Sequence, residues 1–394
     1  MYLVRTEEEE KLRRELREYF ATLMTPEQRH QLRHGYAAPE ATDAYRQVIR
    51  RLGEDGWLGI GWPTEIGGQG RSMVEQAVFN DEAALANVPT PLLTINSVGP
   101  AIAAHGTPEQ RETIVPGILA GRLHFAIGYS EPQSGTDLAS LRTRAVRDGE
   151  EYVINGQKLW TGMMEAADYI WLAARTNPDV PRHHGISVLL VPRHADGVHS
   201  TRLRTLGDHS VAAVSFDDVR VPVENCIGGE GNGWKIMTGQ LNSERVALVP
   251  SALVQRQLAD VTAWARETRL PDGRRVIDQP WVRSDLAQVR AELEFLVLLN
   301  SKLATEVDAG EPPAAGASAA KVFGSELIGR AARMLQGIVG PDAALGAESP
   351  GAVLGGGLAR QAGTSNVMTF IGGVNEIQRD IVAQLGLGLP RVKR

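Results

Sequence analysis

The sequence has little cysteine, no long apolar run and no concentration of one charge. Its 394 residues include a single cysteine, Cys226, so no internal disulfide can form. A lone cysteine following "VPVEN" reads as a small buried hydrophobe rather than a nucleophile. The longest apolar runs fall far short of the ~18 residues that span a bilayer. The N-terminus is charged from Arg5 onward and lacks the apolar core of a signal peptide. A cytoplasmic protein with no membrane insertion is expected. Lysine and arginine are dispersed and the net charge is −6, so no nucleic-acid-binding face is expected. The nine histidines lack metal-ligand spacing, and His183-His184 reads as part of a solvated loop, so no metal site is expected. A phosphate-binding loop of the GxxxxGKS or GxxxxGKT type, a GxSxG elbow and HExxH are all missing. "GGEGNG" (228–233) lacks the preceding strand of a dinucleotide fingerprint and reads as a domain junction.

What remains is an ordinary globular mix, 43% hydrophobic and 22% charged, long enough for two or three domains. Residues 1–121 read as five or six helices. "TPEQ" at Thr25 and Thr107 supplies an N-cap threonine, a first-turn proline and a capping-box glutamine. Tyr45, Val48, Ile49 and Leu52 form one buried stripe. In "EEEEKLRREL" the pairs Glu7–Lys11, Glu9–Arg13 and Glu10–Arg14 predict a solvated helix face. Residues 122–228 change texture, with short β-branched and aromatic segments separated by turn signals. Asn155-Gly156 and Asp148-Gly149 both predict turns, the former between two hairpin strands. No helical segment separates these strands, so an antiparallel barrel or sandwich is expected rather than βαβ units. Residues 229–394 return to helix. Leu286, Val289, Leu293, Leu296 and Leu303 mark one long element, and Ile377, Ile381 and Leu385 mark the last, predicting a four-helix bundle.

"YSEPQSGTD" (129–137) ends a strand with a loop that offers hydroxyls and backbone N–H groups to a heterocycle or pyrophosphate. Trp160 reads either as an aromatic wall beside it or as core. The run "GYSEPQSGTDLASLRTRAVRDGEEYVINGQKLWTG" resembles the central signature of the acyl-CoA dehydrogenases. "GWLGIGWPTEIGGQG", "VRVPVENCIGGEGNGWKIM" and "FIGGVNEIQRDIVAQLGLGLPR" resemble the same family in the same order. Within it, "LTINSVGPAIAAHGT", "QLNSERVALV" and "ASAAKVFGSEL" resemble the α-type subunits of actinobacterial heterotetrameric enzymes of steroid side-chain degradation. The resemblance implies an N-terminal all-α domain, a middle β-domain and a C-terminal four-helix bundle. It also implies FAD, an acyl-CoA substrate, a related subunit in an α2β2 heterotetramer, and an acceptor such as electron-transfer flavoprotein. By motif, Tyr129, Ser130 and Thr136 contact the flavin and Trp160 flanks its ring. Gly162 stands where the family carries a hydroxyl. Gly373 and Glu376 fall at the nucleotide end of a flavin shared between subunits, with Val374 in place of a threonine.

The family's reaction removes an α-proton from the thioester while a β-hydrogen leaves as hydride, so a carboxylate base is required. In many members it comes late in the chain, a spacing that lands on glycine here. Glu348 is the nearest carboxylate, at the wrong offset. Other members carry the base on an earlier helix just before an arginine, and "NSERVAL" matches that pattern. Glu244 also falls on the stripe of Trp234, Met237, Leu241 and Leu248, where a carboxylate is costly unless used. Glu244 is therefore the expected base, with Arg245 and Asn242 toward the CoA. Two other readings stand beside this one: an oxidase-like enzyme, and a non-catalytic scaffold that completes a partner's site.

Overall fold

Side-chain capping decides where several of the first helices begin. The computed structural model describes residues 6–32, 38–207, 210–245, 249–310 and 314–391, without the side chains of residues 39 and 241–245. Its first layer holds α1 (Glu7–Leu23), α2 (Pro26–Gln31), α3 (Pro39–Glu54), α4 (Met73–Leu85), α5 (Gly99–His105) and α6 (Pro108–Leu119). Capping boxes from Thr6, Thr25, Ser72 and Thr107 satisfy the orphan N–H groups of α1, α2, α4 and α6. A π-helical turn, Thr94–Val98, leads directly into α5. Tyr45, Val48, Ile49 and Leu52 are at most 2% exposed, as the stripe requires. The solvated face predicted for α1 is only partly right. Arg13 leaves Glu9 to reach the buried Glu82 of α4 at 2.7 Å, and Arg17 joins at 2.8 Å. Glu9 instead caps its own helix by accepting from the Thr6 N–H.

The β-layer comprises β1 (Phe125–Gly128), β2 (Arg144–Asp148), β3 (Glu151–Gly162), β4 (Tyr169–Arg175), β5 (Ile186–Pro192), β6 (Val198–Arg204), β7 (Ser210–Pro222) and β8 (Cys226–Ile227). They form one sheet in the order β6-β7-β3-β2-β4-β5-β8, with β1 on β4. Most pairs are antiparallel, but β1 and β2 each meet β4 in parallel, a departure from the all-antiparallel expectation. Asp148-Gly149 does turn the chain between β2 and β3. Asn155-Gly156 does not: β3 runs straight through it with a bulge between Ile154 and Gly156. The cause is close approach, since a Cβ on Gly156 (φ +147°) would sit 2.7 Å from the Thr143 backbone. Cys226 is buried as expected.

His124 sits where the helices meet this sheet. Arg46 of α3 donates to the Ala166 carbonyl at 2.7 Å and to Asp168 at 2.9 Å. Asp168 in turn accepts from the His124 backbone N–H at 2.8 Å. His124 is 2% exposed, and its ring lies against Tyr45 with centroids 5.5 Å apart. Burial, reinforced by the Arg46 charge, pulls its pKa down to about 4. A depressed histidine pKa leaves stability intact above the unfolded value of about 6.5 and erodes it as pH falls toward 4. His124 alone should cost about 2 kcal/mol at pH 5. Melting temperatures of wild type and His124→Phe from pH 7 to pH 5 should show the shallower decline in the variant; parallel curves would exclude this role.

The chain then enters α7 (Gly233–Arg245), α8 (Ala252–Glu267), α9 (Pro280–Asp308), α10 (Ala314–Val339), α11 (Gly357–Ser365) and α12 (Asn375–Ile381). The α9 positions Leu286, Val289, Leu293, Leu296 and Leu303 are all buried against α8 and α10 or their links. The last helix differs from expectation. It ends in a π-helical turn, Val382–Gly386, and Leu385 is 68% exposed. No described helix is long and apolar enough to cross a membrane.

Candidate active site

The end of β3 carries two non-glycine residues in the left-handed region, Trp160 (φ 66°) and Met163 (φ 64°). Such a backbone is costly for bulky side chains and persists only where its surroundings impose it. A second register shift, between Lys158 and Thr161, turns Trp160 outward to 60% exposure, so it is not part of the core. Gly162 beside it faces open space, since an added Cβ would meet nothing within 4 Å. The Leu159 N–H donates to the Ser130 carbonyl at 2.8 Å, drawing the 129–137 loop against this strand. Ser130, Trp160 and Gly162 are thus brought together, with Thr136 exposed in the same loop.

That loop is pinned from beneath by a buried ion pair that sequence reading missed. Lys158 Nζ lies 2.9 Å from Glu131, with side chains 0% and 1% exposed. Glu131 also accepts from the backbone N–H groups of Arg142 (2.6 Å) and Thr143 (2.8 Å), and Lys158 donates to the Tyr129 carbonyl (3.0 Å). Burial alone would push the Glu131 carboxyl up. The Lys158 charge and these donors outweigh it and hold the carboxyl below its ordinary range. The available signal was Lys158 itself, a charge at an inward position of β3.

Tyr129 opens the same 129–137 loop. Its hydroxyl points inward, donating to Gln240 Oε1 at 2.5 Å and accepting from Trp171 Nε1 at 2.9 Å. Gln240 lies on α7, whose buried residues Gly233, Ile236, Met237 and Gln240 mark one face, while Trp234 is only half-buried. The predicted stripe is therefore rotated slightly. Position 244, seven residues beyond Met237 and four beyond Gln240, stays on that face by the helical period. The side chains of Glu244, Asn242, Arg245 and Leu241, and all of Leu248, lie outside the described residues. Glu348 sits in a turn near α11.

Gly373 (φ 92°) and Glu376 belong to a different element, the turn into α12, which packs on α10. Glu376 is exposed, and Val374 at the N-cap offers no side-chain acceptor. Lys321 of α10 fastens the turn, donating to the Thr369 carbonyl (3.0 Å) and to Asn375 Oδ1 (2.6 Å). Among the described residues no His, Cys, Asp or Glu group could hold a metal ion.

Sequence profiles of the acyl-CoA dehydrogenase N-terminal, middle and C-terminal domains match residues 6–122, 126–219 and 231–387. The acyl-CoA dehydrogenase FadE26 of Mycobacterium tuberculosis is 52% identical over 99% of this chain and 99% of its own. The chain belongs to the acyl-CoA dehydrogenase family. FadE29 of the same organism is 44% identical over the full length of both chains. A chain of the M. tuberculosis ChsE4-ChsE5 complex superposes with a TM-score of 0.93 at 51% identity, covering 100% of both. A chain of the Tcur3481-Tcur3483 steroid ACAD gives 0.92 at 46%, again over 100% of both. As an acyl-CoA dehydrogenase this chain is a flavin-dependent oxidoreductase, and its α-helical, β and α-helical parts are those of the family fold.

Proposed function

We propose that this acyl-CoA dehydrogenase uses FAD to desaturate the α,β-bond of a steroid side-chain CoA ester, as the base-carrying subunit of a hetero-oligomer. The observation that carries the reading is the full-length likeness to chains of two-component complexes, one of them described as a steroid ACAD. Exposed apolar side chains at the C-terminal end support a partner. Phe370 (62%), Leu385 (68%), Leu387 (69%) and Leu389 (52%) are unusual burdens for an isolated chain.

The residues present fit FAD. The exposed Trp160 ring and the open space at Gly162 leave a face on which a planar ring can lie. Ser130 is half-buried and Thr136 exposed, so both hydroxyls are accessible to ring or phosphate oxygens. In this assignment Tyr129 contributes main-chain atoms, and Gly373 and Glu376 serve the nucleotide end of a flavin held across subunits. Bound FAD supplies the hydride acceptor. The chain supplies the Glu244 carboxylate, which takes the α-proton onto a side-chain oxygen. Arg245, with Asn242 beside it, holds the CoA phosphates. Electrons leave to an external acceptor of the electron-transfer flavoprotein type.

Co-expression tests the reading. Alone, the chain should purify poor in flavin or in solubility. With its related subunit it should be yellow, and cholestenoyl-CoA should bleach the flavin anaerobically, faster than butyryl-CoA does. A yellow, active homo-oligomer with one FAD per chain would overturn the assembly, and a preference for butyryl-CoA the substrate class. An assembled flavoprotein in which mutation of this chain leaves reduction untouched would make it a scaffold.

A further inference from the structure

We infer that Gln240 is a positioning residue: its carboxamide locks the helix that carries Glu244 to both other parts of the molecule. The inference rests on the assignment of Glu244 as the base and extends it. Gln240 is 5% exposed and held on three sides. Its Nε2 donates to Ser97 Oγ at 2.5 Å, in the π-helical turn before α5. Its Oε1 accepts from the Tyr129 hydroxyl at 2.5 Å and from Trp171 Nε1 at 3.1 Å. Trp171 and Ser97 are 0% and 1% exposed. One side chain therefore joins α7, the first helical layer and the sheet.

Directional bonds are needed here because the neighbouring contacts are not directional. Ile236 and Met237 bury against the same core, and the hydrophobic effect that holds them there has no preferred direction. A proton-transferring carboxylate needs a fixed position, since a misplacement of about 1 Å can cost ~100-fold in rate. Gln240 and Glu244 are one helical turn apart on one face, so fixing the first fixes the rotation and height of the second. Tyr129 completes the coupling. Its hydroxyl holds Gln240 while its carbonyl is held by Lys158, at the start of the loop assigned to the flavin. The base helix and the flavin loop thus share a residue. A π-helical turn at the third anchor is consistent with a site shaped by function, as such turns often mark one.

The test uses the assembled, flavin-loaded enzyme carrying Gln240→Met or Tyr129→Phe. Each variant keeps the volume and removes the hydrogen bonds or the hydroxyl alone. For Gln240→Met the limiting rate of flavin reduction by cholestenoyl-CoA should fall about 10- to 100-fold. Half-saturation by the thioester and flavin content should stay within about threefold. Tyr129→Phe should move the same way by less. Backbone amide exchange should quicken in the second half of α7 and nowhere else, a readout that needs no turnover. Combined with Glu244→Gln, Gln240→Met should slow the residual reduction no further, because it acts through the missing carboxylate. A purely structural role would lower melting temperature and flavin content while each remaining flavin reduced at the wild-type rate, and that result would overturn the inference. If Glu244→Gln abolishes reduction while Gln240→Met leaves rate and exchange unchanged, the base assignment stands and this inference falls. If Glu244→Gln is itself silent, the base lies elsewhere and both fall.

Discussion

Replacing Glu244 by glutamine is expected to slow flavin reduction by an acyl-CoA by about 10²- to 10⁴-fold, the contribution typical of a general base. Glutamine keeps the volume and a hydrogen-bonding group but cannot accept the α-proton, so flavin content and thermal stability should barely change. The expectation rests on the α7 backbone, which carries position 244 on the face that buries Met237 and Gln240. A carboxylate is seldom kept on such a face without a use, because its desolvation costs several kcal/mol. A structural ion pair with Arg245 predicts the reverse pattern. Breaking a buried pair costs about 3–5 kcal/mol, and activity would fall only as the fold does. Stopped-flow reduction alongside thermal melting separates the two. Glu348→Gln serves as the comparison and should be nearly silent in both measurements. A fast Glu348→Gln with a slow Glu244→Gln fixes the base on α7; the opposite result moves it to the turn before α11.

What the sequence shows about this molecule follows the range of the interaction concerned. The capping boxes at Thr25 and Thr107 span three residues, and both form as the spacing predicts. The Tyr45–Leu52 stripe and the leucines of α9 depend only on helical period and are buried accordingly. Errors begin where a local signal answers to a distant partner. Asn155-Gly156 has the composition of a hairpin turn. What needs its glycine is the backbone of Thr143 on the neighbouring strand, and the chain bulges instead of turning. Arg13 looks paired with Glu9 along α1, yet its partner is Glu82, 69 residues away. Leu385 continues an apolar period, but it is 68% exposed, because nothing among the described residues covers it.

The site divides in the same way. Ser130, Thr136, Trp160 and Gly162 belong to one contiguous motif, and a backbone hydrogen bond from Leu159 to Ser130 is enough to gather its two ends. Tyr129 belongs to that motif too, but its hydroxyl is used inward against Gln240 and Trp171, 111 and 42 residues further on. Composition can place a tyrosine beside a flavin loop; it cannot say which way the ring points. Trp160 was open between wall and core until its left-handed backbone and 60% exposure decided against the core.

The buried pair beneath that tryptophan leads to the largest expected loss of stability. Lys158→Met should destabilise the folded protein by about 3–5 kcal/mol, because it strands the Glu131 carboxylate at 1% side-chain exposure. The backbone donors of Arg142 and Thr143 remain and soften the loss, since they favour the ionised carboxylate without any lysine. They cannot replace the second task of the ammonium, which holds the Tyr129 carbonyl and so the start of the 129–137 loop proposed to contact the flavin. Flavin should therefore be lost from Lys158→Met before the fold is, visible as free flavin fluorescence released below the main thermal transition. Pairing it with Glu131→Gln removes the stranded charge, so the double variant should regain part of the stability. It should not regain the flavin, because the Tyr129 carbonyl still lacks its donor. Recovery of both would mean that the pair matters only as buried charge. Recovery of neither would mean that the amide of a glutamine cannot satisfy the two N–H groups the carboxylate serves. Release of flavin together with unfolding in every variant would show that the pair supports the sheet as a whole and not the loop above it.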